Sequence, residues 1–388
     1  MTSFRFRPPS IDLGSEIRWV LLRAFGPVKA VVGREVDPAE AIRLSELLDL
    51  SPRIAVRQGR ERLADELGAA AAGRFLERAY AVLRNGLHFE SVAREVAFLA
   101  AGVELPVVLL KFAALSLSGS LVPGSRAAGD LDVLAPPGRA RELRDLLLAS
   151  GYRTFAEPDY EHQLAGVRHP SGALVEVHTR ILGVRVDGSR SADVHALRGR
   201  GLLETLPGFP EMAAVPTREV LTAHAVVHGL VQHGSVPDSY PAFRMLADVA
   251  DLDAGAGREC WASWISRDVA TSELEALLEL CGELVAGRLP EGGNAGSLLR
   301  HFVAGVLDRR YAASLRAGGV FQEVTDHGRA ASLVRQARHA LFPSLTELDN
   351  VYGPVRTPLQ RLKRRAYRPL HVCTRLARYG VLALRARI

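Results

Sequence analysis

The sequence predicts an α/β (α+β) protein in which a small mixed sheet is flanked by N-terminal and C-terminal helical regions. Three observations predict this class. Apolar residues recur with the 3.6-residue period of a helix before residue 85 and again after residue 217. Short apolar runs with the character of strands lie between these two regions. Glycine and proline then cluster between residues 199 and 210, which indicates where the sheet-containing segment ends.

These patterns divide the chain into four predicted parts. They are an N-terminal helical region (1–85), an α/β core (86–200), a helical domain for substrate contacts or packing (201–345) and a basic helical tail (346–388). Helical spacing before the core predicts helices over 15–25, 38–50, 60–84 and 89–101. After the core it predicts helices over 217–233, 242–252, 260–265, 272–286 and 294–317.

The core contains four predicted strands and one helix. The first strand covers residues 105–110 and ends at Lys111, and the second includes residues 130–134. A helix over 139–150 follows, and Gly151 supplies its stop. Two further strands, at 160–168 and 173–181, flank a turn that contains proline and glycine, so they form a predicted hairpin.

The most informative residues of the core are Asp130 and Asp132, which lie one residue apart in the second strand. Side chains two residues apart on a strand project from the same face, so the two carboxylates suit a divalent cation such as Mg²⁺. A solvated edge strand is the alternative explanation. A second triplet of the same kind, Asp251–Leu252–Asp253, follows a predicted helix and indicates a helix end.

Two nearby features extend this pattern. Gly119–Ser120 is a turn separated from Asp130 by nine residues, and such a turn, where it opens a helix, presents backbone N–H groups to phosphate. Glu176 lies between two valines in the middle of a later strand, where a carboxylate needs a partner such as a cation. An outward position on a half-exposed strand is the alternative for Glu176.

The segments around these residues resemble a known family. The segments 109–115, 124–152, 175–181, 220–234 and 243–252 are similar to the bacterial uncharacterised nucleotidyltransferases, of the polymerase beta-like nucleotidyltransferase superfamily. The resemblance extends loosely from about residue 18 to about residue 253 and is densest in residues 105–180. It implies a turn with Gly-Gly or Gly-Ser, an Asp-apolar-Asp triplet and a third carboxylate on a later strand.

This resemblance implies roles for particular residues. Asp130, Asp132 and Glu176 would be catalytic and would hold two Mg²⁺ ions. Gly119 and Ser120 would contact the phosphates of ATP or another nucleoside triphosphate. The sequence departs from the family at Lys111–Phe112–Ala113, where the family usually has Lys-Gly and a small residue. Either Gly119–Ser120 forms the phosphate cradle, or the cradle is damaged.

Two cations complete the predicted nucleotide site. Arg126 lies four residues before Asp130, where the family carries an arginine that can bind triphosphate oxygens. Lys111 ends an apolar strand, and its predicted partner is an acidic residue or a phosphate. An ordinary ion pair is the alternative for both residues.

The histidines allow two interpretations. His224 and His228 lie four residues apart on a predicted helix, and His233 follows, but no glutamate base accompanies them. We favour packing or substrate contact over a metal site. His178, two residues after Glu176 on the same strand face, either contacts substrate or forms a hydrogen bond beside the site.

Bulk properties favour a cytoplasmic protein. The sequence shows no signal-peptide pattern and no uninterrupted apolar span of membrane length, and its three scattered cysteines indicate neither a disulfide framework nor a zinc site. The net charge is +6, and residues 350–388 contribute ten of the basic residues and no acid, so residues 1–349 carry −4. This tail favours an anionic partner, either nucleic acid or a membrane face, or else packs as a helix.

Together these observations predict a metal-dependent nucleotidyltransferase, a transferase that moves a nucleoside monophosphate to an unidentified acceptor and releases pyrophosphate. The acceptor is a small molecule, a peptide, a protein or an RNA end. The alternative is a catalytically degenerate protein on the same scaffold that binds a nucleotide, a peptide or an acidic surface. A third possibility is a peripheral membrane enzyme anchored by the tail.

Overall fold

A computed structural model describes residues 8–29, 36–155, 162–189, 191–232, 242–253, 259–265 and 271–312, with the single residues 315 and 363. Within these residues a mixed sheet is flanked by helices, which confirms the predicted α/β (α+β) class. The predictions for the basic tail concern residues that lie outside this part of the chain, apart from Lys363.

Four helices precede the sheet: α1 (Ser15–Phe25), α2 (Pro38–Leu47), α3 (Ser51–Leu67) and α4 (Ala69–Ala101). Helix α1 has the predicted bounds. Helix α2 begins as predicted, because the Asp37 carboxylate accepts a hydrogen bond from the Ala39 N–H at 3.0 Å. The helix predicted over 60–84 is divided at Gly68, whose φ is 88°, so its first residues belong to α3. Its remaining residues join the helix predicted over 89–101 in α4, since no proline interrupts the residues between them. The predicted boundary at residue 85 therefore falls inside α4.

Seven strands form the main sheet in the order β3-β4-β5-β2-β1-β9-β8. They are β1 (Val107–Leu109), β2 (Leu131–Leu134), β3 (Arg153–Thr154), β4 (Val167–Arg168), β5 (Leu174–His178), β8 (Leu203–Thr205) and β9 (Ala213–Pro216). A second, two-stranded sheet pairs β6 (Ile181–Leu182) with β7 (Ser191–Ala192).

The sheet is mixed in direction. Strand β2 runs antiparallel to β1 and parallel to β5, and β4 and β5 form the predicted hairpin with Val167 opposite Val175. Strand β9 runs parallel to β1, with Val107 opposite Ala213. Because β8 and β9 belong to this sheet, the predicted end of the α/β core near residue 200 falls within it.

Eight further helices complete the described structure. They are α5 (Lys111–Leu117), α6 (Ala140–Ala149), α7 (Val194–Gly199), α8 (Arg218–Val227), α9 (Ala242–Asp253), α10 (Glu259–Ala262), α11 (Thr271–Val285) and α12 (Gly293–Leu307). A π-helical turn, His228–Gln232, continues α8. No helix in the described residues is long and apolar enough to cross a membrane.

Two apolar clusters form the core. One cluster lies between the sheet and helices α4, α5 and α6. The other brings the N-terminal helices into contact with the later ones, with Trp19 and Phe25 in the same cluster as Phe243 and Phe302. The Arg53 guanidinium donates two hydrogen bonds to the Asp251 carboxylate, at 2.6 and 2.7 Å. This pair joins α3 to the end of α9, where the second Asp-Leu-Asp triplet was predicted to lie.

Candidate nucleotidyltransferase site

The predicted carboxylates meet on the central strands of the sheet. Strands β2 and β5 are parallel neighbours, and their register places Asp132 directly beside Glu176. The side chain of Asp132 is 1% exposed and that of Glu176 is 14% exposed. Asp130 immediately precedes β2, which begins one residue later than the predicted strand, and it is partly buried. The structure thus brings together three residues that are separated by up to 46 positions in the sequence.

Asp132 is the most highly connected residue of the site. Its Oδ1 atom lies 2.7 Å from Lys111 Nζ and accepts a hydrogen bond from His178 Nε2 at 2.8 Å. Burial raises the pKa of a carboxyl group, but the Lys111 charge and the His178 hydrogen bond outweigh burial and hold the pKa of Asp132 far below its ordinary value. Asp132 is therefore ionised at any physiological pH.

The second oxygen of Asp132 has no partner. Oδ2 is buried and accepts no hydrogen bond from any described residue. A buried carboxylate oxygen left without a donor costs free energy, so such an atom needs an explanation. A bound cation would provide one.

Asp130 has the opposite electrostatic character. The negative charge of Asp132 and burial raise the pKa of Asp130 from 3.8 to about 6, against the opposing charges of Lys111 and Arg126. Two carboxylates on one strand face repel each other unless a cation lies between them. The carboxylate pair expected from the sequence is therefore close enough in the structure for the charge of Asp132 to act on Asp130.

Lys111 is placed where β1 passes into α5. Its φ of 46° is left-handed, which is uncommon for any residue other than glycine. Burial would lower the pKa of its ammonium group, but the carboxylates of Asp132 and Asp130 outweigh burial and raise it. Lys111 therefore stays charged, and its partner is an acidic residue, one of the two partners that the sequence predicted.

Arg126 is held by a residue that the sequence analysis did not select. Its Nε donates to Asp248 Oδ1 on α9 at 2.7 Å, and both side chains are buried. Burial raises the pKa of Asp248, although Arg126 opposes this rise. Asp248 could have been selected from the sequence, because it lies between two apolar residues of a predicted helix. A carboxylate in such a position is expected to be buried and to need a partner.

The Gly119–Ser120 turn ends a helix and does not begin one. Gly119 has a φ of 73° and follows α5, as is typical of a glycine that terminates a helix. The backbone N–H of Gly119 donates to the Ser116 carbonyl and that of Ser120 donates to the Leu115 carbonyl. The expected turn that opens a helix is therefore wrong, while phosphate contact by these two residues stays a prediction.

Phe112 packs in the apolar core. Its buried ring lies in the cluster that includes α4, with its centroid 6.5 Å from that of Phe89, and it lies directly against Gly86. The Arg126 guanidinium lies 5.9 Å from the Phe112 ring centroid. The departure from the family at this position therefore adds an aromatic side chain to the core beside the site.

Histidines surround the site on two sides. His178 is hydrogen-bonded beside the carboxylates, which is one of the two predicted outcomes, and its pKa is raised because Asp132 and Glu176 outweigh burial. His224 and His228 line a small cavity next to Lys111 and Arg126. Burial and the Lys111 charge lower the pKa of His224 to about 3, so this ring is neutral. His233 lies outside the described residues.

The residues that fit a cation are those of the sheet, and not those of α8. Within the described part of the chain, Asp132, Glu176 and His178 form the one group of three or more potential ligands, with ligand atoms within 4.8 Å of one another. Carboxylate oxygens suit a hard divalent cation. Together with the partnerless Oδ2 of Asp132, this donor set fits a divalent metal.

The comparisons with known proteins agree with this geometry. No curated protein and no solved structure is significantly similar to the chain. The profile of one protein family, described as uncharacterised nucleotidyltransferase, matches residues 34–290, which is more than half of the chain. Bacterial origin and membership of the wider superfamily stay predictions. The chain belongs to the uncharacterised nucleotidyltransferase family.

Proposed function

We propose that this chain moves a nucleoside monophosphate from a nucleoside triphosphate to an acceptor and releases pyrophosphate, with Asp130, Asp132 and Glu176 as the catalytic carboxylates. The observation that carries the proposal is the register of β2 and β5, which sets Asp132 beside Glu176, with one Asp132 oxygen buried and without a partner among the described residues. Family membership supports the general reaction class.

The carboxylates would hold a divalent cation, and two ions would follow the family pattern. Bound there, the metal would lower the pKa of an acceptor hydroxyl and offset the negative charge of the triphosphate. Glu176 is the more exposed of the Asp132–Glu176 pair. It is therefore suited to orient the hydroxyl whose oxygen forms the new bond to the α-phosphorus. The bond from that phosphorus to the pyrophosphate oxygen breaks, and the hydroxyl proton leaves to a base or to water.

Lys111 is the residue that we assign to the phosphates. Its side chain is 17% exposed and its ammonium touches the same carboxylate that would face the cation, so it is suited to contact a phosphate oxygen beside the metal. Gly119 and Ser120 are less suited to bind phosphate, because their N–H groups already donate hydrogen bonds to carbonyls at the end of α5. Arg126 is suited to positioning, since its pair with Asp248 fixes the segment before Asp130 to helix α9.

The test is a transfer assay with each nucleoside triphosphate labelled on its α-phosphate. The protein is incubated with Mg²⁺, with Mn²⁺ or with EDTA, in the presence of small hydroxyl compounds, peptides, proteins and RNA ends. We expect the label to move to one acceptor class with equal release of pyrophosphate, and to stop with EDTA.

Two variants make the assay specific. Asp130→Asn should abolish transfer, while Asp145→Asn, an exposed aspartate on α6, should leave it unchanged. Release of orthophosphate in place of pyrophosphate would contradict the proposal. Triphosphate binding without transfer to any acceptor would favour the alternative of a degenerate binding protein.

A further inference from the structure

The donor set of the candidate site is not purely oxygen. His178 ends β5 two residues after Glu176, so both side chains lie on the same face of the strand. His178 Nε2 lies 2.8 Å from Asp132 Oδ1 and 3.7 Å from Glu176 Oε2. The His178 side chain is 10% exposed, so it lies largely buried beside the two carboxylates. Each of these three residues can offer one ligand atom to the same ion.

An independent observation indicates that an ion belongs there. Asp132 Oδ1 has two partners, Lys111 and His178, whereas the buried Oδ2 of the same carboxylate has no hydrogen-bond partner among the described residues. A buried carboxylate oxygen is normally satisfied by a donor or a cation. His178 Nε2, the ring nitrogen that lies beside both carboxylates, is the atom that would coordinate the ion.

We propose that Asp132, Glu176 and His178 form a mixed carboxylate–imidazole site that binds a first-row transition cation such as Mn²⁺ in preference to Mg²⁺. The inference rests on the proposed function for the need of a metal, and it replaces the expected Mg²⁺ at this position. Mg²⁺ favours oxygen ligands and keeps most of its water, whereas an imidazole ligand shifts the preference toward first-row transition ions. Mn²⁺ is the member of that series that also suits carboxylate ligands. His178 is thereby a metal ligand and a determinant of metal choice.

The charges around the site do not by themselves choose the ion. Lys111 lies 2.7 Å from Asp132 and offsets part of the negative charge of Asp132, Glu176 and the neighbouring Asp130. The remaining electrostatic attraction acts on any divalent cation. The imidazole nitrogen of His178 is therefore the group that distinguishes one cation from another.

The test is binding of Mn²⁺ to the full-length protein without nucleotide, followed by electron paramagnetic resonance, with Mg²⁺ as competitor. We expect Mg²⁺ to displace Mn²⁺ only at concentrations at least about tenfold higher. We also expect pulsed measurements to show coupling between the bound Mn²⁺ and a directly coordinated ¹⁴N nucleus. His178→Ala should remove that coupling and weaken Mn²⁺ binding by at least about tenfold, with Mg²⁺ binding changed less.

A neighbouring histidine provides the matched control. His224 is buried close to Lys111 and Asp132 but does not belong to the donor set. His224→Ala should therefore keep the ¹⁴N coupling. Mn²⁺ binding without ¹⁴N coupling, or equal affinity for the two ions, would overturn the inference and leave the proposed function standing. Mn²⁺ binding with ¹⁴N coupling but no nucleotidyl transfer would support the inference and contradict the proposed function. Failure to bind Mn²⁺ at all would overturn the inference, and the transfer assay with Mg²⁺ and nucleotide would still decide the proposed function.

Discussion

Replacing Asp130 and Asp132 by asparagine should change the free energy of unfolding in opposite directions. Asp130 and Asp132 are two residues apart, but their environments differ. Asp130 faces the charge of Asp132 and is partly buried, whereas Asp132 is held by Lys111 and His178. Asp130→Asn should therefore stabilise the metal-free protein, and Asp132→Asn should destabilise it.

The magnitude for Asp130 follows from its pKa. The rise from 3.8 to about 6 corresponds to about 3 kcal/mol, at about 1.4 kcal/mol for each pH unit between the two values. Between these values the folded protein keeps the proton while the unfolded chain releases it, so stability falls as pH rises. Above about pH 6 the full penalty is present. Because Asp130 is partly exposed to solvent, we expect a gain of about 1–2 kcal/mol from Asp130→Asn.

The expectation for Asp132 has the opposite sign. Asp132→Asn removes the nearest counter-charge of Lys111 and replaces the carboxylate that accepts from His178 by a neutral amide. Loss of one partner of a buried pair costs about 3–5 kcal/mol. The pKa of Asp132 is far below the ordinary value, so this loss should be present at all pH values above the ordinary carboxyl range.

The assay is urea unfolding in EDTA, followed by circular dichroism, at pH 4, 6 and 7.5. Asp130→Asn should match the wild type near pH 4 and exceed it at pH 7.5, and Asp145→Asn should match it throughout. The reasoning is refuted if Asp130→Asn is no more stable than the wild type at pH 7.5, or if Asp132→Asn is the more stable of the two variants.

Three further predictions concern the residues around the carboxylates. Arg126→Met should lower the free energy of unfolding by about 3–5 kcal/mol, because Asp248 is left buried and unpaired. The double variant Arg126→Met with Asp248→Leu should recover part of this loss in urea unfolding. If the losses of the two single variants simply add in the double variant, the two residues do not stabilise the fold as a pair. Phe112→Ala should lower the free energy of unfolding by about 3–5 kcal/mol, because the ring packs in the core. Calorimetry should show unchanged triphosphate affinity, and tighter triphosphate binding would show that the ring obstructs the site. Gly119→Ala should lower the free energy of unfolding by about 1–2 kcal/mol, because the backbone there is left-handed, and it should leave triphosphate affinity unchanged. A large loss of affinity would show that this turn contacts the phosphates.

The features predicted best from the sequence were those that depend on neighbours along the chain. Apolar periodicity gave α1 its bounds, and alternation along β2 and β5 placed Asp132 and Glu176 on strands. The hairpin between β4 and β5 follows from a proline and a glycine in its turn. In each case the residues that determine the structure lie within about ten positions of one another, where local preferences are informative.

The features missed were those that depend on distant or ambiguous residues. Arg126 and Asp248 are 122 residues apart, and no periodicity links them. Strand β9 is four residues long and joins β1 across more than 100 residues, so its place in the sheet was not visible locally. Gly119 was assigned to the wrong end of a helix, because a glycine-serine turn is compatible with either end and the choice depends on which helix it contacts.

The central claim is that Glu176 completes a catalytic metal site, and a matched pair of glutamate variants tests it most directly. Glu204 lies mid-strand in β8 of the same sheet but is exposed at the sheet edge. Pyrophosphate release should be measured at saturating triphosphate and divalent cation for Glu176→Gln and Glu204→Gln. We predict that Glu176→Gln lowers turnover by at least about a hundredfold with a smaller change in triphosphate affinity, while Glu204→Gln matches the wild type. Equal turnover in both variants would contradict the account.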